Sequence, residues 1–161
     1  MPSKARIYWD SCVYISCIEK TPDRYPILQT IIREAQAGSL VLVASTLVIA
    51  EVVRLNGSTE PEREQANRIQ EFFENDYIEI RAVDRLTAEY AAEISRTHGL
   101  KPPDAIHVAT AIHHKCDCLQ TYDGQQGCRG KLLALNGKIG WPALSIQLPS
   151  SLPKQERLFD S

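Results

Sequence analysis

With 161 residues, 43% of them hydrophobic and 24% charged, the chain has the size and composition of one soluble globular domain, which excludes a fibrous or disordered protein and leaves no room for a site between two full domains. No run approaches the roughly 18 apolar residues of a membrane span and the start, MPSKARIYWDS, lacks a signal-peptide apolar region, so a cytoplasmic protein away from membranes is expected. Five cysteines, an odd number without paired CxxC spacing, argue against a disulfide framework or a zinc finger and read as reduced filler residues.

In chain order, ARIYW (5–9) reads as a strand that stops at Asp10-Ser11, either of which can cap a helix running through Val13, Ile15 and Ile18. Pro26 opens a second helix, through Ile27, Leu28, Ile31 and Ile32 to Gly38, and LVLVA (40–44) has the continuous apolar character of a strand buried on both faces. Ser45-Thr46 is then expected to cap a helix containing Leu47, Ile49, Ala50 and Glu51. The charged stretch 60–74 carries Ala66, Ile69 and Phe73 at helical spacing, and YIEIRAV (77–83) alternates as a strand. Leu86, Tyr90, Ala91 and Ile94 define the face of a further helix ended by Gly99. PDAIHVATAIHH (103–114) reads as an Ala-rich apolar helix and CDCLQTY (116–122) as a strand. A Gly-rich loop, a short helix near 131–135 and a last strand in ALSIQL (143–148) follow. The alternation predicts an α/β domain over 1–148, with a parallel sheet covered on both faces, and an exposed tail over 149–161.

Four acids, Asp10, Glu51, Asp104 and Asp123, stand where an apolar stretch meets a turn or a helix start. In an open parallel sheet the ligand crevice lies beyond the carboxyl ends of the strands. Asp10 and Asp123 follow strands directly, Glu51 sits in the helix after one, and Pro102-Pro103 places Asp104 in a first helical turn, where the macrodipole favours a negative charge. Carboxylate-only ligation suits Mg²⁺ or Mn²⁺, whereas zinc or copper sites recruit His or Cys. A divalent ion there implies hydrolysis of a phosphate ester. The formal net charge of −2 is neutral on this point, because 18 basic residues face 16 acids once the four are set aside.

Read with their contexts, IYWDSC around Asp10, STLVIAE around Glu51, PPDAIHVATA around Asp104 and LQTYDG around Thr121 and Asp123, these residues resemble the PIN-domain ribonucleases and, among them, the VapC-like toxins. The resemblance spans roughly residues 5–148. It implies a three-layer α/β/α fold with a five-stranded parallel sheet, a Mg²⁺- or Mn²⁺-dependent endoribonuclease site, often a homodimer, and in toxin–antitoxin pairs a cognate antitoxin partner. Carried over by position, it makes Asp10, Glu51 and Asp104 core catalytic metal ligands, Asp123 the fourth acid of the metal site, acting directly or through water, and Thr121 an orienting hydroxyl, with Ser11 and Thr46 as supporting residues. The chain departs from the family after TYD, where GQQGCRG replaces an aromatic-containing turn.

Each feature also has an ordinary structural reading. A lone Asp10 is an N-cap, Asp123-Gly124 is a turn, and His107, three residues after Asp104, is a candidate for substrate or partner contact but reads first as a structural histidine beneath the site. Arg54, one turn beyond Glu51, can meet RNA phosphate, an antitoxin acid or a local carboxylate, and Phe72 or Phe73 can serve an interface. The spacing of His113, His114, Cys116 and Cys118 fits no standard zinc pattern. A catalytically weak PIN-like RNA- or protein-binding module is the competing function. A haloacid-dehalogenase-like phosphatase would need a second Asp where Cys12 stands, and a response-regulator receiver an acidic pair before the first helix together with a Lys late in the fold, a pattern this chain does not offer.

Overall fold

The computed structural model describes residues 4–151. Strand β1 (Ala5–Trp9) ends at Asp10, whose side chain accepts the Val13 amide and so caps α1 (Ser11–Glu19), and α2 (Tyr25–Gln36) carries Pro26 in its first turn. Then come β2 (Leu40–Ser45), α3 (Thr46–Glu51), α4 (Glu62–Phe73), β3 (Ile78–Arg81), α5 (Arg85–His98), α6 (Pro102–His113), β4 (Cys118–Gln120), a 3₁₀ turn at Leu133–Leu135 and β5 (Ser145–Gln147). The five strands form one sheet in the order β3-β2-β1-β4-β5, every neighbouring pair parallel, as the alternation predicts. Helix α1 packs against α2 and α4, and α6 against α3 and α5, so the sheet lies within an α/β/α sandwich.

The chain leaves β1 in one direction along the sheet, through β2 to β3, and returns to the other side of β1 with β4 and β5. The carboxyl ends of β1 and β4 therefore flank the switch point where a doubly wound sheet opens a crevice. Ile7 pairs with Leu42 on one side and Cys118 on the other, and Trp9 lies beside Gln120, which sets Asp10 next to Thr121 across the two strand ends. Full burial of Ile7, Tyr8, Trp9, Leu42, Val43, Ala44 and Leu119 makes the central strands the middle of the core, at about 1.5–3 kcal/mol for each large apolar side chain withdrawn from water.

Several expectations are corrected. Neither Ser45 nor Thr46 caps α3: the Ser45 hydroxyl bonds the Tyr8 hydroxyl at 3.0 Å, and Thr46 Oγ1 accepts the Val83 amide at 3.2 Å. Leu86 is 69% exposed, because the Asp84 cap sets a frame in which Thr87, Ala91 and Ile94 face inward. Phe73 is spent in the core, where Tyr14 contacts Trp9, Phe72 and Phe73 at ring-centroid distances of 5.4, 6.1 and 5.2 Å. Of the tail expected over 149–161, residues 152–161 lie outside the described residues. Pro149 is buried, and the Ser150 carbonyl accepts the Gln120 side-chain amide at 2.7 Å, while Gln120 Oε1 accepts the Trp9 indole N–H at 2.7 Å. Among the described residues no helix is long and apolar enough to cross a membrane.

Candidate active site

Asp10 is 4% exposed, and both of its oxygens are engaged. Oδ1 accepts the Val13 amide at 3.4 Å and the Cys12 thiol at 2.9 Å, and Oδ2 accepts the Thr121 hydroxyl from the end of β4. Thr121 Oγ1 also accepts the Asp123 amide at 2.9 Å, so one hydroxyl ties the two acids that follow β1 and β4. Burial, the Asp10 charge and the bond to that carboxylate push the Cys12 thiol up, keeping it a neutral donor.

Glu51 closes α3 and meets two other elements through one oxygen. Its Oε1 accepts the Ser11 hydroxyl of α1 at 2.7 Å and lies 2.8 Å from His107 Nε2 of α6. The His107 bond and, after it, the Ser11 bond hold the Glu51 carboxyl below its ordinary value in spite of burial. His107 is 2% exposed, and its Nδ1 lies 2.7 Å from the hydroxyl of the fully buried Tyr8. The histidine is therefore beneath the site with both nitrogens occupied, which removes it from direct substrate or partner contact.

Asp104 occupies the first turn of α6, behind Pro102 and Pro103, and no hydrogen bond or ion pair holds its carboxylate among the described residues. Burial raises its pKa, and Asp123 does so next; Asp10 and Glu51 add to the effect while His107 opposes it. The helix N-terminus, expected to favour the charged form, is outweighed by withdrawal from water and by three neighbouring carboxylates. Asp123 is raised by burial and by Asp10, against the backbone amides of Leu132 and Lys131 and the charge of Lys101. Its Oδ2 is buried without a hydrogen-bond partner. Gly130, at φ 135°, makes room for it: a Cβ there would stand 1.6 Å from Asp123 Oδ1.

The four predicted acids thus gather negative charge across the switch point, offset only in part by Lys101 and His107, and they offer oxygen donors. By donor chemistry, by the unpartnered Asp104 carboxylate and by the orphaned Asp123 Oδ2 the residues fit a hard divalent cation. As placed, no group of three or more His, Cys, Asp or Glu side chains among the described residues is arranged to hold an ion, so the fit is one of charge and donor type. Ser11 and Thr121 bond two of the acids. Thr46 bonds Val83 instead, and Arg54 makes a solvent-exposed pair with Glu62 at 3.4 Å. His113 bonds Thr87 and stacks on Tyr90, away from any zinc-like cluster.

Sequence reasoning overlooked Tyr8, Ser45, Cys12 and Gly130. A tyrosine in a strand buried on both faces needs a partner for its hydroxyl, which is a readable signal for Tyr8. Gly130 lies in the Gly-rich departure, but its role depends on a side chain seven residues earlier. No pattern in the sequence marks Cys12 as a donor to Asp10.

The chain matches the family model described as PIN domain over residues 7–127. No curated protein gives a significant match. Among solved structures, it resembles a chain of a toxin–antitoxin complex from Klebsiella pneumoniae (TM-score 0.56, 20% identity, covering 74% of this chain and 88% of that one). It also resembles a chain of VapBC2 from Rickettsia felis, solved with a DNA fragment from the promoter (TM-score 0.57, 16% identity, 76% and 90% covered). A chain of FitAcB from Neisseria gonorrhoeae is similar over 89% of this chain and 97% of its own length (TM-score 0.55, 20% identity). These likenesses are of fold.

Proposed function

The chain belongs to the PIN-domain family, and on that premise we propose that it is a Mg²⁺- or Mn²⁺-dependent endoribonuclease that hydrolyses RNA phosphodiester bonds as the toxin of a toxin–antitoxin pair. The observation that carries this reading is the buried Asp123 Oδ2 without a hydrogen-bond partner, close to an Asp104 carboxyl whose pKa is raised first by burial and then by Asp123, Asp10 and Glu51. Asp10, Glu51, Asp104 and Asp123 hold the cation, with Thr121 and Ser11 orienting Asp10 and Glu51. When bound, the cation supplies a water of lowered pKa and neutralises charge on the phosphodiester. Thr121 keeps Asp10 and Asp123 in register, Gly130 leaves Asp123 its space, and Lys101 offers a positive charge beside Asp123 for the RNA backbone. The toxin assignment, with a cognate antitoxin as partner, is supported by the toxin–antitoxin complexes among the similar structures; a cytoplasmic homodimer as the working form is part of the proposal.

The test is cleavage of single-stranded RNA by purified protein with Mg²⁺ or Mn²⁺, with EDTA, and with Asp10→Asn. Cleavage that needs the metal and Asp10, leaving 5′-phosphate and 3′-hydroxyl ends, is the expected result. Ends bearing a 2′,3′-cyclic phosphate would overturn it, since the RNA's own 2′-hydroxyl would then be the nucleophile. RNA binding without cleavage at any metal concentration would assign the chain to the binding modules.

A further inference from the structure

Glu51 is the last residue of a six-residue helix that begins without a side-chain cap and gives way to non-helical backbone at Val52. So short a segment does not hold itself, and a glutamate at its end has three rotatable bonds to settle. What fixes the carboxylate comes from other elements. Oε1 takes both Ser11 Oγ and His107 Nε2, at 2.7 and 2.8 Å, and among the described residues no hydrogen bond is made to Oε2. A carboxylate only accepts, so Nε2 must present a hydrogen to it.

The orientation of His107 is fixed in turn. Nδ1 lies 2.7 Å from the hydroxyl of Tyr8, which is 0% exposed, and that hydroxyl lies 3.0 Å from Ser45 Oγ, the residue immediately before α3. The circuit leaves the base of α3, crosses β1 and α6, and returns to the tip of α3. We propose, resting on the reading that Glu51 holds a divalent cation, that Tyr8 and His107 are positioning residues: their buried relay ties down one oxygen of Glu51 and reserves the other for the metal. Deprived of the Tyr8 hydroxyl, the imidazole loses the contact at Nδ1 that fixes its ring, and Nε2 is held on Glu51 Oε1 less firmly. Because His107 lies on the same face of α6 as Asp104, that helix supplies one acid directly and orients another.

The experiment is calorimetric titration of Mn²⁺ into full-length, RNA-free Tyr8→Phe, His107→Gln, His107→Leu and Glu51→Gln proteins, with thermal melting in EDTA beside each titration. Tyr8→Phe is expected to weaken Mn²⁺ binding about 10-fold, at the lower end of what loss of an outer support costs. His107→Gln, whose amide reaches the Nε2 position, should stay nearer wild type than His107→Leu. In cleavage assays kcat should fall while KM for RNA holds, which a residue serving only the core would not produce. Should Glu51→Gln lose Mn²⁺ binding while Tyr8→Phe and His107→Gln both stay within about twofold of wild type, the relay is refuted and the metal site stands. Unchanged binding in Glu51→Gln would remove the metal role of Glu51 and the relay with it. If His107→Leu does not fold, Tyr8→Phe, which differs by one oxygen, and His107→Gln decide the matter.

Discussion

Asp104 and Glu51 sit in one crevice and are shifted in opposite directions, which gives the metal-free protein a readable pH dependence. Ionising Asp104 is harder in the folded state than in the unfolded chain, so stability falls as pH rises from the ordinary value of 3.8 through the raised one. Glu51 contributes the reverse: its stabilisation is present above 4.5 and is lost as pH falls through its lowered folded value. Asp104→Asn should therefore melt above wild type in EDTA at neutral pH, and the gap should close as the solution is acidified through the Asp104 transition; melting curves across that range check it. The same variant should lose Mn²⁺ affinity by at least about 100-fold, the upper end of the cost for a mere supporting residue, as measured by calorimetry. That the four acids belong together was legible, because each sits at an element edge in a βα pattern. Their inequality was not, since it depends on charges that distant segments bring up, Asp123 onto Asp104 above all.

At the level of elements the periodicities located every strand and helix, and the misreadings share a cause. Ser45 was legible as a cap because serine at a helix start usually is one, but a buried tyrosine hydroxyl from β1 competes for it and wins. Leu86 follows the apolar pattern yet lies in a first turn framed by Asp84, one stripe away from the packed face. Phe73 shares a helical stripe with Ile69, a spacing that suits a core face and an interface alike; its packing on Tyr14 decides for the core. Phe73→Ala should cost about 3 kcal/mol of stability, seen as a lower denaturation midpoint. Gly130→Ala tests the loop after β4. The added methyl cannot coexist with the present Asp123 side chain and the backbone there is at positive φ, so nuclease activity should drop at least 10-fold while a strain of about 1–3 kcal/mol leaves the fold intact by circular dichroism.

For the whole molecule, the order β3-β2-β1-β4-β5 explains why residues as far apart as 10, 51, 104 and 123 meet: two serve the ends of adjacent strands, and two come from helices that pack together, α3 and α6. On the proposed toxin reading, induced expression should arrest growth, and Asp104→Asn at equal protein level should relieve the arrest in growth curves; equal toxicity would count against the nuclease. Where the chain is shortened in the laboratory also has consequences. The run of contacts from the Trp9 indole through the Gln120 amide to the Ser150 carbonyl makes a backbone atom near the end of the described residues the last acceptor for a side chain with no access to water. A protein trimmed after Leu148 would keep every strand and still strand one Gln120 hydrogen without an acceptor, at about 1–3 kcal/mol. The slack would fall on Trp9, one residue from Asp10. A boundary drawn by secondary structure alone would then yield a preparation that looks folded and cuts poorly.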